Sequence, residues 1–243
     1  MVRVPTTLLA QADSGVGVKN AINWAGHKNG LGTFAAPAAV LNDIDFLDTL
    51  PTPVLREGMA EAFKVALIRD AAFFHWLCHQ APQLAAAETS AVAELVHRSA
   101  RLHLDHIRAG GDPFETGQAR PLDYGHWLAH ELERRSGYTL SHGQAVAIGV
   151  AVDTSYAVAS GWLDPSHLDL LLQAWKILEL PVTHPLLDEH PETLIRSALD
   201  RFREHLGGRL SLTFPDGLGR SRQVESIHDE RMRAALQVAK GMP

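Results

Sequence analysis

The 243-residue chain is 46% hydrophobic and 21% charged, enough apolar material to bury the core of one large domain or two small ones. Its formal charge of -6 and isoelectric point near 6.1 give no cationic face for nucleic acid or an anionic membrane, and no apolar stretch is long enough to span a bilayer. One cysteine, Cys78, excludes an intrachain disulfide and a thiolate metal site; with no secretory run at the start, this fits a cytoplasmic protein.

In chain order, "VRVPTT" and "AAVLND" predict short strands, separated by loops that Gly15, Gly17, Gly26, Gly30 and Gly32 punctuate. Residues 1–50 therefore read as the edge of a sheet domain. From Pro51 the pattern turns helical. "REGMAEAFKVALIRDAAFFHWL" places Met59, Phe63, Ala66 and Leu67 at i, i+4, i+7 and i+8, an amphipathic helix. A second helix covers Ser90 to Ala109, ended by "GGDP", and a third runs from Leu122 to Arg135. "HGQAVAIGVAVDTSYAVAS" is almost wholly apolar and small, the profile of a helix buried on most sides, with Gly149 permitting close approach of a neighbour. Asp164 caps the next helix with Pro165 at its first position, "PETLIRSALDRFREHL" forms another, and "RLSLTF", "PDGLG" and "RQVESI" read as a terminal β-hairpin. The predicted fold is a mainly α-helical domain, 51–243, with a small terminal hairpin, preceded over 1–50 by the edge of a sheet domain.

Residues i and i+4 share one face of a helix, so His126 and His130 point the same way, and the turn "SGYTL" lets His142 fold back over them. A His-x-x-x-His pair alone is more often structural or incidental than a metal site. Glu61 lies in "EGMAEAFK" with Lys64 three residues on, either a surface ion pair or an acid and a base facing a site. Imidazoles plus one carboxylate with an open position make a catalytic zinc shell, whereas closed structural sites favour thiolates. Asp13, Lys19, Lys28 and Asn29 fall in "DSGVGVK" and "GHKN", a glycine-rich region that can present N–H groups and lysine charge to phosphate; a solvated loop fits the same pattern, and there is no P-loop motif.

"RVPTTLLAQADSGVGVK", "GHKN", "LPTPVLREGMAEAFKVALIRD", "LDYGHWLAH" and "HGQAVAIGV" together resemble the 3-dehydroquinate synthases and related sugar-phosphate cyclases, in the family's order and from residue 3 to about 150. The resemblance implies that Glu61, His126 and His142 ligate Zn2+, with Co2+ also suited, and moves His130 to the substrate phosphate together with Lys19, Lys28 and Asn29. It implies that Asp13 and Lys64 lie near the reacting hydroxyls. The reaction implied is alcohol oxidation by bound NAD, phosphate elimination, re-reduction, ring opening and aldol closure to a carbocycle, in a homodimer acting on a small sugar phosphate.

The chain departs from the family's pattern in ways that bear on substrate. His103 stands where Lys is usual, Ala119 beside Arg120 where Arg is usual, and Asp123 where Asn is usual, while Arg201 takes the place of a late Lys and is assigned to phosphate. An added anion and fewer cations disfavour a carboxylate-bearing substrate and favour a neutral-headed one such as sedoheptulose 7-phosphate. In the family a glycine-rich dinucleotide lobe precedes "RVPTTLL", which implies that residues 1–50 are the remnant edge of an α/β nucleotide-binding lobe. The expectation is that this chain by itself does not hold NAD: the sequence is truncated, a partner supplies the lobe, or the protein has given up the reaction. The competing readings are a non-catalytic metal-binding relic or regulatory subunit and a metal-dependent phosphohydrolase.

Overall fold

The computed structural model describes residues 1–24, 27–109, 121–189 and 191–240. Ala119, Arg120 and all of "GGDP" lie outside them, as do the side chains of Lys28 and Asn29.

The N-terminal segment carries four strands, β1 (Val2–Arg3), β2 (Lys19–Trp24), β3 (His27–Phe34) and β4 (Ala39–Val40), with a π-turn over Ala10–Ser14. β1 and β4 pair in parallel, Val2 opposite Ala39. β2 and β3 form an antiparallel ribbon, Lys19 opposite Phe34 and Ile22 opposite Leu31. This ribbon replaces the predicted glycine-punctuated loop. Backbone pairing alone builds it: Ile22 and Leu31 stay more than half exposed, so the segment lacks the buried alternation by which a strand is recognised. The glycine-rich turn before it is also closed on itself. Gly15 N–H donates to the Ala10 carbonyl at 2.8 Å, and Val16 and Gly17 N–H donate to the Asp13 carbonyl at 3.1 and 3.2 Å. Those N–H groups are not presented to a ligand, and Arg3 binds the Gly15 and Gly17 carbonyls from outside.

The helices follow: α1 (Thr52–Arg69), α2 (Ala71–His79), α3 (Ala81–Ala85), α4 (Thr89–Ala109), α5 (His126–Arg135), α6 (His142–Ala159), α7 (Pro165–Leu178), α8 (Leu186–Glu189) and α9 (Pro191–His205). The hairpin β5 (Leu212–Pro215) and β6 (Ser221–Val224) and a final helix, α10 (Asp229–Lys240), complete the chain. A short 3-10 turn, Ile44–Thr49, leads into α1. The mainly helical architecture with a terminal hairpin matches the sequence expectation. α10 was not anticipated, although Met232, Ala235 and Leu236 supply a buried stripe at helical spacing.

Two predicted helices change at their ends. The segment from Arg56 to Leu77 is not one amphipathic helix. It breaks at Asp70, whose backbone is extended and whose carboxylate caps α2 by accepting from Phe73 N–H at 2.9 Å. α1 is buried on nearly every side from Gly58 to Ile68, because α2, α4 and α6 surround it, and Phe63 meets Phe74 and Trp175 edge to face. Glu61 and Lys64 are thus interior residues, not a surface pair. The helix predicted from Leu122 begins at His126. Pro121–Asp123 forms a 3-10 turn, and Gly125 at φ +78° takes a left-handed conformation open to glycine at little cost.

α6 is the hub. Ser141 and Gln144 form a capping box at its start, as the sequence allows. A side-chain carbon added at Gly143 would lie 2.4 Å from the Glu57 carbonyl oxygen of α1, and one at Gly149 only 2.0 Å from the Gly125 carbonyl oxygen ahead of α5. Two glycines therefore set how closely α1 and α5 approach α6. Buried Asp153 of α6 accepts from Gly125 N–H at 3.0 Å and from the Trp127 indole at 2.9 Å, and Tyr124 places its hydroxyl 2.5 Å from Thr154 Oγ1. Burial, working against those two donors, pushes the Asp153 carboxyl up to about 8. These bonds lock the turn that begins α5 onto α6. Among the described residues, no helix is long and apolar enough to cross a membrane.

Candidate metal centre

α1, α5 and α6 deliver Glu61, His126 and His142 to one point, with a donor atom from each within 4.8 Å of the others. Glu61 Oε1 lies 3.3 Å from His126 Nε2 and 3.4 Å from His142 Nε2. Its other oxygen, Oε2, lies 2.5 Å from Lys64 Nζ in a buried ion pair. Burial acts to raise the Glu61 carboxyl, but Lys64, His126 and His142 together hold it well below its usual value. Lys64 is raised, its own burial outweighed by Glu61, Asp13 and Asp123. The pair is a charged one.

The second nitrogens of both histidines are also committed. His126 Nδ1 lies 3.1 Å from the Tyr124 carbonyl, which only accepts, so in the neutral ring Nδ1 carries the proton and Nε2 the lone pair. That lone pair faces Glu61 Oε1. Two lone pairs 3.3 Å apart repel unless a cation sits between them, so the arrangement suits a metal ion. His142 Nδ1 lies 3.3 Å from Glu133 Oε1. Burial lowers the His142 imidazole, but Glu133 and Glu61 outweigh it and push the ring up to about 9. One carboxylate and two imidazoles form the donor set of an open zinc site.

The other candidates fall around this point. Asp13 Oδ2 lies 3.5 Å from Lys64 Nζ, and its Oδ1 lies 3.3 Å from His103 Nδ1. A polar chain thus runs from His103 through Asp13, Lys64 and Glu61 to the histidines. Asp123 has one buried carboxylate oxygen, Oδ2, with no hydrogen-bond partner. His130, one turn along α5, meets the ring of His126 edge to face at 5.4 Å and stacks on that of His142 at 6.2 Å. With Glu133 and His142 it forms a second set of donor atoms within 4.8 Å.

The phosphate candidates are more dispersed. Lys19 is exposed on β2, and Lys28 and Asn29 lie on β3, their side chains outside the described residues. Arg201 on α9 pairs with Glu131 of α5 at 3.4 Å, in a network with Arg134, Arg135 and Ser197. Sequence reasoning missed Glu133 and Asp153. Glu133 was detectable three residues beyond His130 on one helix face, and Asp153 as the lone acid in an apolar run.

Comparison with known proteins gives this geometry a family. The 3-dehydroquinate synthase C-terminal family matches residues 58–201, and the 3-dehydroquinate synthase N-terminal family matches residues 1–57. The 3-dehydroquinate synthase of Xylella fastidiosa is 36% identical over 97% of this chain, and the chain spans 64% of that relative's length. The 2-epi-5-epi-valiolone synthase of Streptomyces albus is 35% identical over 97% of the chain and 58% of its own length. Among solved structures, the 2-epi-5-epi-valiolone synthase of Streptomyces hygroscopicus, with NAD+ and Zn2+ bound, superposes with a TM-score of 0.90 at 32% identity, over 98% of this chain and 66% of its own. A 2-deoxy-scyllo-inosose synthase, at 20% identity and a TM-score of 0.76 over 98% of this chain and 66% of its own, shares the fold. With its donor triad on α1, α5 and α6 and both family profiles matched along its length, the chain belongs to the 3-dehydroquinate synthase family.

Proposed function

We propose that the chain is the metal- and substrate-binding part of a sugar-phosphate cyclase that uses Zn2+ and NAD to eliminate phosphate from a heptulose 7-phosphate and close a carbocycle. The observation that carries this is the convergence of Glu61, His126 and His142 with Lys64 on the far oxygen of Glu61. Glu61, His126 and His142 hold the cation, Zn2+ first and Co2+ as an alternative. A cation held there supplies Lewis-acid polarisation of substrate oxygens. NAD enters through the S. hygroscopicus relative, whose structure contains it.

The chain's own residues do the rest. Lys64 and Asp13 carry a charged hydrogen-bond relay to the substrate hydroxyls, and a proton can pass between the lysine ammonium and an alkoxide. His130, Lys19, Lys28, Asn29 and Arg201 are the proposed phosphate contacts. A leaving phosphate can itself take the proton that elimination releases, so no strong protein base is needed. Asp123 favours a substrate with hydroxyls at the end opposite the phosphate: its unpartnered oxygen accepts from a hydroxyl and repels a carboxylate. A homodimer in the cytoplasm belongs to the same proposal.

The test is release of inorganic phosphate from sedoheptulose 7-phosphate by the gene product as the cell makes it, with and without NAD+ and Zn2+. Expected is release that needs both, with Asp123→Asn shifting preference toward a carboxylate-bearing heptulosonate phosphate by about tenfold. Release without NAD+ would make the protein a phosphohydrolase. Tight zinc binding with no turnover of any heptulose phosphate would make it a non-catalytic relic or regulatory subunit.

A further inference from the structure

We propose that Glu133 is a positioning residue for the metal centre: its carboxylate accepts a hydrogen bond from Nδ1–H of His142 and so fixes the tautomer whose Nε2 is free to bind the ion. The proposal rests on reading Glu61, His126 and His142 as the ligands.

The molecule offers two candidate donor sets that share His142, one with Glu61 and His126 and one with His130 and Glu133. They exclude each other. A neutral imidazole has one N–H and one lone pair, and His142 turns Nε2 to Glu61 at 3.4 Å and Nδ1 to Glu133 at 3.3 Å. His126 decides between them. Its Nδ1 is held by the Tyr124 carbonyl, an acceptor that cannot change role, so its Nε2 lone pair is directed at Glu61 Oε1 and calls for a cation there. Once the ion sits at Glu61, His142 must offer it Nε2, and Nδ1–H must find an acceptor. Glu133 is that acceptor.

Glu133 is also well placed to hold the ring still. It is only 6% exposed, and it lies on α5, the helix that begins with His126, whereas His142 begins α6. The Glu133–His142 contact therefore ties the two imidazole-bearing helices together at the level of the site. The two histidines receive unequal support, a neutral carbonyl for His126 and a carboxylate for His142. A carboxylate on Nδ1–H increases electron density at Nε2, so His142 is the more basic ligand of the two.

The experiment is a competition titration of Zn2+ against a chromophoric chelator for the unaltered chain, Glu133→Gln, Glu133→Ala and Glu61→Gln, with circular dichroism to check each fold. The unaltered chain should bind about one zinc. Glu133→Ala should keep that stoichiometry and weaken affinity by about 10–100-fold. Glu133→Gln, whose amide oxygen still accepts from Nδ1–H, should lose less, and the His142 Nδ1–H signal in the NMR spectrum of the zinc-loaded protein should persist in it and shift or vanish in Glu133→Ala. Unchanged affinity and an unchanged Nδ1–H signal in Glu133→Ala would overturn the proposal. Loss of zinc in Glu133→Ala with retention in Glu61→Gln would also overturn it, by making Glu133 a ligand in the other set. Failure of the unaltered chain to bind zinc would refute the ligand reading itself, a result distinct from both.

Discussion

Replacing Gly149 by alanine tests whether helix spacing builds the site. The added carbon would stand 2.0 Å from the Gly125 carbonyl oxygen, whereas ordinary contact begins near 3.4 Å. The obstacle is backbone, not the end of a flexible side chain, so α5 and α6 must move apart by roughly 1.4 Å or twist. Overpacking of this kind costs about 1–3 kcal/mol, and an immovable carbonyl puts Gly149→Ala at about 3 kcal/mol. The same displacement moves His126, the first residue of α5, away from Glu61 and His142; the Nε2 atoms of His126 and His142 now lie 3.3 and 3.4 Å from Glu61 Oε1. Urea denaturation should show a lower midpoint at unchanged slope, and zinc titration a weaker site. A loss under about 1 kcal/mol with unaltered zinc affinity would refute the reasoning, since it would mean the interface yields without disturbing the ligands.

Three further perturbations separate the neighbouring groups. Lys64→Met strands Glu61 in the interior and leaves the partly exposed Asp13 without its ammonium; it should cost about 3 kcal/mol, and saturating zinc should restore much of it by neutralising Glu61, which thermal melts with and without zinc will register. His130→Ala should weaken sugar-phosphate binding in calorimetry while zinc is retained, and loss of zinc instead would place His130 among the ligands. Glu131 is buried under Arg134, Arg135 and Ser197, whose hydrogen bonds outweigh its burial and hold its carboxyl down to about 2. Its stabilisation is therefore present above the ordinary glutamate value and is lost as pH falls through about 2. With allowance for the solvent exposure of the arginines, Glu131→Gln should cost about 2 kcal/mol at neutral pH and progressively less below pH 4, read from denaturation midpoints at several pH values.

Much of the helical architecture is legible because its signals are local. Asp164 and Pro165, Ser141 and Gln144, and the apolar run of α6 each act within a few residues. The interior placement of Glu61 and Lys64 is not local. Only the packing of α2, α4 and α6 around α1 turns what reads as a surface i, i+3 pair into a buried one. Spacing alone likewise groups His126 with His130, and the rings are indeed neighbours. The partner that shares Glu61 Oε1 with His126 is instead His142, brought in by a turn and by two glycine contacts that no periodicity records. The β2–β3 ribbon escapes a sequence reading for the opposite reason: its described side chains, Ile22, Trp24 and Leu31 among them, are exposed, so pattern carries no trace of its pairing.

The polar chain from His103 to Glu133 also sets an order of assembly. Three carboxylates, those of Asp13, Asp123 and Glu61, gather around a single ammonium, that of Lys64, and a fourth, Glu133, lies beyond them against His142. A phosphate dianion approaching that cluster meets an excess of like charge, and a divalent ion at Glu61 removes most of it. Under the proposed function, metal and sugar phosphate are thermodynamically linked, each tightening the other by the same factor, so a cation at Glu61 would act as the gate through which an anionic substrate is admitted.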